Sequence, residues 1–214
     1  MSEAGHDTYE SPGGTYSIYV NPVDDFTNGF NPFSQQGARY ALNYVVDRSH
    51  IVDDLLMGSG AEMFSALPPD HYDYPLIYRE VESLGFSHDL GEADRRFTEA
   101  LVPVGAQKVN GAWHYGGQPV VIKMFIRSDD PVRLQFGERL AADLQSVGFG
   151  VQRSYGNLLE AGARVYASDP ADQQWHIYTE GWGNSRTVKY DNLFLPIFYS
   201  PVLGNLPGEG EEHA

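Results

Sequence analysis

"VVIKMFIRSDDPVRLQFGERLAADLQSVGFGVQRSY", residues 120–155, is the stretch on which the fold turns. Val120 to Ile126 is an apolar, β-branched and aromatic run that reads as a strong strand. Asp130 then stands where a helix N-cap belongs, with Pro131 at the first helical position. Leu134, Leu140, Ala141, Leu144 and Val147 share one face of that helix, and Gly148 closes it. The strand "FGVQRSY" follows at once, another helix spans about Asn157 to Ala167, and "QWHIYTEGW" is a third strand. Strand, helix, strand, helix, strand in this order is an α/β unit, with right-handed crossovers expected between parallel neighbours. Ligands of such sheets sit beyond the carboxyl ends of the strands. The segment at that place is "TEGWGN", within "YTEGWGN", Tyr178 to Asn184.

Upstream of it, "VNGAWHYGGQP" reads as a small hairpin with turn signals at Asn110-Gly111 and Gly116-Gly117. Two short helices precede it, around Leu76 to Leu84 and Glu92 to Leu101. The connection from Ser59 to Pro75, with "LPPD" and "DYP", is irregular and long. From about Gln36 the pattern is helical, with Ala38, Ala41, Leu42, Val45 and Val46 on one face. A second short helix from Ser49 carries Ile51, Val52, Leu55 and Leu56 and ends at Gly58. Nearer the N-terminus, "TYSIYV" reads as a strand ended by Asn21-Pro22, and "DDFTNGFNPFS" as a loop. The expected organisation is a flexible leader over 1–14, a single α/β lobe over 15–205 and an acidic flexible tail over 206–214, with "LPIFYSPVLGNLPG" left without a definite place.

Bulk properties narrow the function. A chain of 214 residues, 42% apolar, buries roughly 70% of the surface its unfolded form exposes, so a core forms without staples. The 29 acidic residues against 14 basic ones give a net charge of −15, which repels phosphate backbones and anionic headgroups and argues against nucleic acid as a partner. Lysine is confined to Lys108, Lys123 and Lys189, and the acidity fits either a salty habitat or an extracytoplasmic surface. The absence of cysteine removes disulfides, thiolate catalysis and thiolate zinc sites. No run of about 18 apolar residues is present, since "NLFLPIFYSPVLGNLPG" is broken by Pro196, Pro201 and Pro207. Nor does "MSEAGHDTYESPGG" contain a signal core.

Chemistry is sparse. The seven histidines are scattered without the helical spacing and companion carboxylate of a metal site, so no metal and no cofactor is expected. Asp24-Asp25, Asp53-Asp54 and Asp129-Asp130 read as turns, solvated faces and caps. The glycine pairs match neither a phosphate loop nor a dinucleotide fingerprint, and Ser59 lacks the strand-to-helix frame of a nucleophile elbow. No nucleophile, base and oxyanion donor assemble, and the chain is expected not to be an enzyme. Two readings of "YTEGWGN" stand side by side. Tyr178 and Trp182 are core residues with Gly181 and Gly183 forming a turn, or the segment faces a ligand cleft.

"ARYALNYVVDRSHIVDDLLMGSG", residues 38–60, resembles the extracytoplasmic solute-binding proteins of dipeptide and oligopeptide ABC importers, family 5 of the peptide/nickel type. There a helix of the type R-x-A-(L/I)-x-x-(A)-(I/V)-D-R is followed by x-x-I-(V) and a glycine. Arg39, Ala41, Leu42, Val46, Asp47, Arg48, Ile51, Val52 and Gly58 occupy the matching places, and Asp47 and Arg48, at the end of an apolar run, are expected to pair or cap. Pro68-Pro69, a degenerate helix over Asp89 to Leu101, Asn110-Gly111-Ala112-Trp113 with Gly117-Gln118-Pro119, "LAADLQSVGFGVQ" and "WHIYTEGWG" continue the likeness in the family's order over most of 15 to 185.

The resemblance implies one lobe, the second, of a type II periplasmic-binding-protein fold, a mixed sheet flanked by helices. It also implies capture of a small peptide or similar polar solute between two lobes and delivery to an ABC permease, with the first lobe of the same full-length protein as partner. Location would be periplasmic or at the cell surface, with the membrane reached only through an anchor absent from this chain. The ligand-binding residues implied are Trp182, Gly183, Asn184, Glu180, Tyr178 and Ser185. In classical peptide binders an aspartate three positions after the tryptophan meets the ligand's α-amino group. Here that position is Ser185, and Glu180 is the available substitute, which leaves an oligosaccharide or a nickel complex as alternative ligands. A protein-interaction or sensor module without transport is the competing class, marked by an exposed apolar patch away from the strand ends.

Overall fold

The structure is a computed structural model that describes residues 14–24 and 29–183. Its elements, in chain order, are β1 (Gly14–Val20), α1 (Gln36–Val45), α2 (Arg48–His50) running into a π turn (Ile51–Leu55), α3 (Tyr74–Ser83) and α4 (Leu90–Leu101). There follow β2 (Gln107–Val109), β3 (Ala112–Tyr115), β4 (Gln118–Pro119), β5 (Val121–Arg127), α5 (Pro131–Ser146) and β6 (Gly150–Gly156). Last come α6 (Leu158–Ala161) with a π turn (Gly162–Tyr166), and β7 (Ile177–Gly183).

The main sheet has the order β1-β7-β5-β6. β5 is parallel to both β6 and β7, whereas β1 runs antiparallel to β7, so the sheet is mixed as the resemblance implied. β5 is covered on both faces, which explains why its sequence is apolar without strict alternation. Ile122, Met124 and Ile126 face α5 and join Leu140, Leu144, Phe97 and Trp113 in the larger core. Phe125 faces the other way and packs with Tyr178, Ala161, Val165 and Trp175 in a smaller one.

Local chemistry fixes the ends of the elements. Asp130 caps α5 by accepting from the amides of Val132 and Arg133, with Pro131 behind it as expected. Asp89 caps α4 in the same way, and Asn157 with Glu160 closes a capping box on α6. Asn110 and Gly111, both at positive φ, turn β2 into β3, and Gly116 and Gly117 turn β3 into β4, so the expected hairpin is a three-stranded meander. Asp47 caps the α2 turn by accepting from His50 N, and Arg48 donates to the Asn43 side chain and the Met63 carbonyl, so both act in the scaffold. Asp47 also lies 3.0 Å from Arg139, which pairs with buried Asp143, and His88 reaches Asp143 at 3.0 Å. This cluster ties the α1–α2 junction to α5.

Buried amides hold the entry and exit of the sheet together. Asn21 Nδ2 donates to the carbonyls of Pro170 and Trp175, Asn31 Nδ2 to those of Asn21 and Val23, and Gln173 Nε2 also to Val23. The segment leading into β7 is thereby stitched to the loop that leaves β1.

Candidate functional site at the carboxyl end of the sheet

β7 carries side chains alternately to the two faces. Ile177 and Thr179 point toward α5, and the Thr179 hydroxyl accepts from the Arg127 amide at 2.9 Å, locking β7 to the end of β5. Tyr178, Glu180 and Trp182 occupy the opposite face, with Tyr19 of the neighbouring β1 among them. The structure continues β7 through Gly183, so Gly181 and Gly183 lie within a strand and form no turn.

Tyr178 has no exposed surface. Its ring stacks on Phe125 at 5.8 Å between centroids and meets Tyr19 and Tyr166 edge-on. Its hydroxyl accepts from Arg127 Nη1 at 3.1 Å. Direct contact between Tyr178 and a solute is unavailable in this arrangement, because the smaller core surrounds the ring; the core reading describes this residue. Trp182, by contrast, is only half-buried, and its Nε1 donates to the Tyr19 hydroxyl at 2.8 Å. An indole held by its N–H in this way keeps a fixed plane.

Glu180 is 3% exposed, more deeply buried than either neighbouring arginine. Oε1 accepts from the Gly181 amide at 2.6 Å, while Oε2 has no hydrogen-bond donor among the described residues. Burial pushes its carboxyl pKa up, opposed by the Gly181 N–H and the charges of Arg133 and Arg127. Arg133 Nη1 stands 3.6 Å from Oε1, an ion-pair distance beyond hydrogen bonding. The guanidinium spends its better geometry elsewhere, with Nη2 donating to the Gly181 carbonyl at 2.9 Å and Nε 3.3 Å from Asp130. Gly181 permits this approach, since a Cβ there would lie 2.9 Å from Arg133 Cζ and Nε.

Arg127 is the second buried cation, 7% exposed at the last position of β5. It grips Asp129 bidentately, Nε to Oδ1 at 2.7 Å and Nη2 to Oδ2 at 3.0 Å. The pairing raises the arginine's pKa and lowers that of Asp129. Asp129 Oδ2 further accepts from the Leu158 amide, at 3.3 Å, so the pair clamps the start of α6 to the end of β5.

Of the residues singled out from sequence, the structure gathers Tyr178, Glu180, Trp182 and Gly183 at this end of the sheet; Asn184 and Ser185 lie outside the described residues. Arg127, Asp129 and Arg133 were not anticipated in this role. The available signals were an arginine ending an apolar strand two residues before an aspartate, and an arginine three residues after a helix cap. Among the described residues no group of three or more His, Asp or Glu side chains is placed to hold a metal ion.

The geometry can orient a polar solute against a flat indole beside a buried carboxylate flanked by guanidinium groups. Comparisons with known proteins give it a context. The model of bacterial extracellular solute-binding proteins, family 5 (middle), matches residues 2–203. A curated relative, the heme-binding protein A of Haemophilus influenzae, is 24% identical over 186 residues, covering 81% of this chain and 28% of its own. The mannohexaose-bound periplasmic oligopeptide-binding protein of Thermotoga maritima superposes with a TM-score of 0.68 at 20% identity, covering 88% of this chain and 33% of that one. The oligopeptide-binding protein AppA of Bacillus subtilis, in complex with a nonapeptide, superposes at 0.62 and 18% identity over 89% of this chain and 35% of that one. The fold is that of one lobe of a periplasmic binding protein, and the chain spans about a third of the length of the proteins it matches. On the match over 2–203, the chain belongs to the bacterial extracellular solute-binding proteins of family 5.

Proposed function

We propose that the chain forms the second lobe of a two-lobed extracytoplasmic binding protein that hands a peptide, or a polar solute of similar size, to an ABC permease. Family membership carries the reading, and the arrangement at the end of β7 supports it. The half-buried, hydrogen-bonded Trp182 is the flat wall; Gly183, and Asn184 and Ser185 next in the sequence but outside the described residues, are the proposed source of hydrogen-bonding groups. Glu180, buried beside Trp182 and with no donor to its Oε2 among the described residues, favours a cationic group of the solute through its charge and not by direct contact, while Tyr178 and Arg127 fix the floor from beneath. The first lobe closes over this surface, so one lobe alone binds weakly. The protein acts outside the cytoplasmic membrane, anchored to it in its full-length form, and carries out no chemistry on its cargo. Among the described residues no helix is long and apolar enough to cross a membrane.

The test is to extract what co-purifies with the full-length protein, identify it by mass spectrometry, and repeat with Trp182→Ala. Short peptides retained by the native protein and lost from the variant are expected. Turnover of a bound compound, or identical cargo in the variant, overturns the proposal or its site. An oligosaccharide is the second reading, favoured by the indole wall, which suits a sugar face, and by the mannohexaose in the Thermotoga maritima relative.

A further inference from the structure

The face of the sheet that carries Tyr178 and Glu180 also holds a second, separate feature toward the start of β5. Lys123 and Phe125 of β5 pair with Gln152 and Ser154 of β6, all four side chains on this face. Together with Arg164, Asp172, Gln173 and Gln174 from the segment that crosses above them, the polar ones line a cavity of about 410 Å³. Lys123 lies four residues from Arg127, roughly 13 Å along the strand, so the cavity is distinct from the site at the strand ends.

Its two cations are held in place yet pair with no carboxylate among the described residues. Lys123 Nζ donates to the Gln173 carbonyl at 2.8 Å. Arg164 Nη1 donates to the Ser154 hydroxyl at 2.8 Å, and its Cζ sits 4.9 Å above the Phe125 ring. Each has further N–H groups beyond these bonds. Neither forms an ion pair with a described carboxylate, Asp172 on the same wall included, in a chain whose acidic residues outnumber the basic ones 29 to 14. Partly buried, oriented cations without a described counter-charge, beside the side-chain amides of Gln152 and Gln174, make an oxyanion site. The volume lies within the range of small-molecule pockets and exceeds what an inorganic ion fills.

We propose that this cavity binds a small organic oxyanion, a carboxylate or phosphate ester, between Lys123 and Arg164, with Gln152 and Gln174 donating to its remaining oxygens. Asp172 confines the anionic group to the end where the cations lie and accepts from a hydroxyl of the ligand.

Calorimetric titration of the protein with citrate, glucose 6-phosphate, inorganic phosphate and neutral glucose tests the proposal. Citrate or glucose 6-phosphate is expected to bind, weakening as salt rises. Arg164→Gln is expected to weaken binding roughly tenfold or more. The exposed Gln152→Glu, which leaves Arg164 and its packing in place, is expected to abolish it, while Trp182→Ala leaves it unchanged. Preference for citrate identifies a carboxylate ligand and preference for the sugar phosphate a phosphate ester. Equal binding of glucose, binding indifferent to Gln152→Glu, binding of inorganic phosphate alone, or no heat with any anion at millimolar concentration overturns it.

Discussion

Gly137 lies in the middle of α5 where that helix crosses β5 and β7, and its replacement by alanine sets two effects of known sign against each other. An added Cβ would stand 2.8 Å from Ile126 Cγ2, 3.0 Å from Thr179 Cγ2 and 3.2 Å from Ile126 Cγ1. Carbons in comfortable contact are about 3.5–4.0 Å apart, so helix and sheet must separate by roughly half an ångström or more. Ile126 and Thr179 are fully buried and β-branched, and stiff side chains of this kind do not swing aside. Overpacking of this sort costs about 1–3 kcal/mol, while alanine gains about 1 kcal/mol over glycine in a helix interior. A net loss of about 1 kcal/mol is expected, a fall in Tm of roughly 2–4 °C for a chain of this size. Urea unfolding with an unchanged m-value measures it. In an Ile126→Ala, Thr179→Ser background all three contacting carbons are gone and the hydroxyl that accepts from Arg127 remains. There the sign reverses, and Gly137→Ala stabilises by about 1 kcal/mol. Stabilisation by Gly137→Ala in the native background, or the same loss in both backgrounds, refutes the close approach as the reason for the glycine.

Three further outcomes are expected. Glu180 has a folded-state pKa raised by burial, so the folded chain holds its proton more tightly than the unfolded one, and its contribution to stability declines as pH rises from the ordinary glutamate value near 4.5 through the raised one. Glu180→Gln, which keeps the acceptor for Gly181 N–H, removes that decline. Urea midpoints across this window therefore diverge in favour of the variant, and parallel curves contradict the assignment. Trp175→Ala, in the core at 5% exposure, is expected to cost about 3–5 kcal/mol, whereas Trp182→Ala costs about 1–2 kcal/mol. Thermal melts giving equal losses place Trp182 in the core. Gly181→Ala pushes the Arg133 guanidinium off the strand and is expected to cost about 1.5–3 kcal/mol, with Arg133→Ala adding little on top; fully additive losses in a double-mutant cycle speak against the contact.

Much of the scaffold is written locally and so could be read locally. The cap Asp130, the Pro131 behind it, the Asn110-Gly111 turn and the apolar run of β5 each fix their own neighbourhood within a few residues, and the elements they define match the structure closely. The pairing of β1 with β7 joins positions more than 150 residues apart, and nothing in "TYSIYV" announces an antiparallel partner at the far end of the chain. The π turns after α2 and in α6 were likewise invisible, since their residues carry ordinary helical periodicity. At the candidate site, "EGW" is recognisable as unusual, but the sequence offers a turn or a cleft as the reason for its glycine. Its reason lies in Arg133, which lies against it from another element. Tyr178 misleads in the opposite direction, because an aromatic ring beside a site and an aromatic ring beneath one have the same sequence signature.

The register of β1 on β7 sets Gly14 opposite Gly183, so the chain enters and leaves this sheet at neighbouring points on one edge of the lobe. Mechanically that is a zipper. Tension drawing the two ends apart falls on the Gly14–Gly183 pair first and opens the ladder one bonded pair at a time, whereas tension along the strands would load every bond together. The β1–β7 ladder is therefore soft to separation of Gly14 from Gly183 and stiff to sliding of one strand along the other.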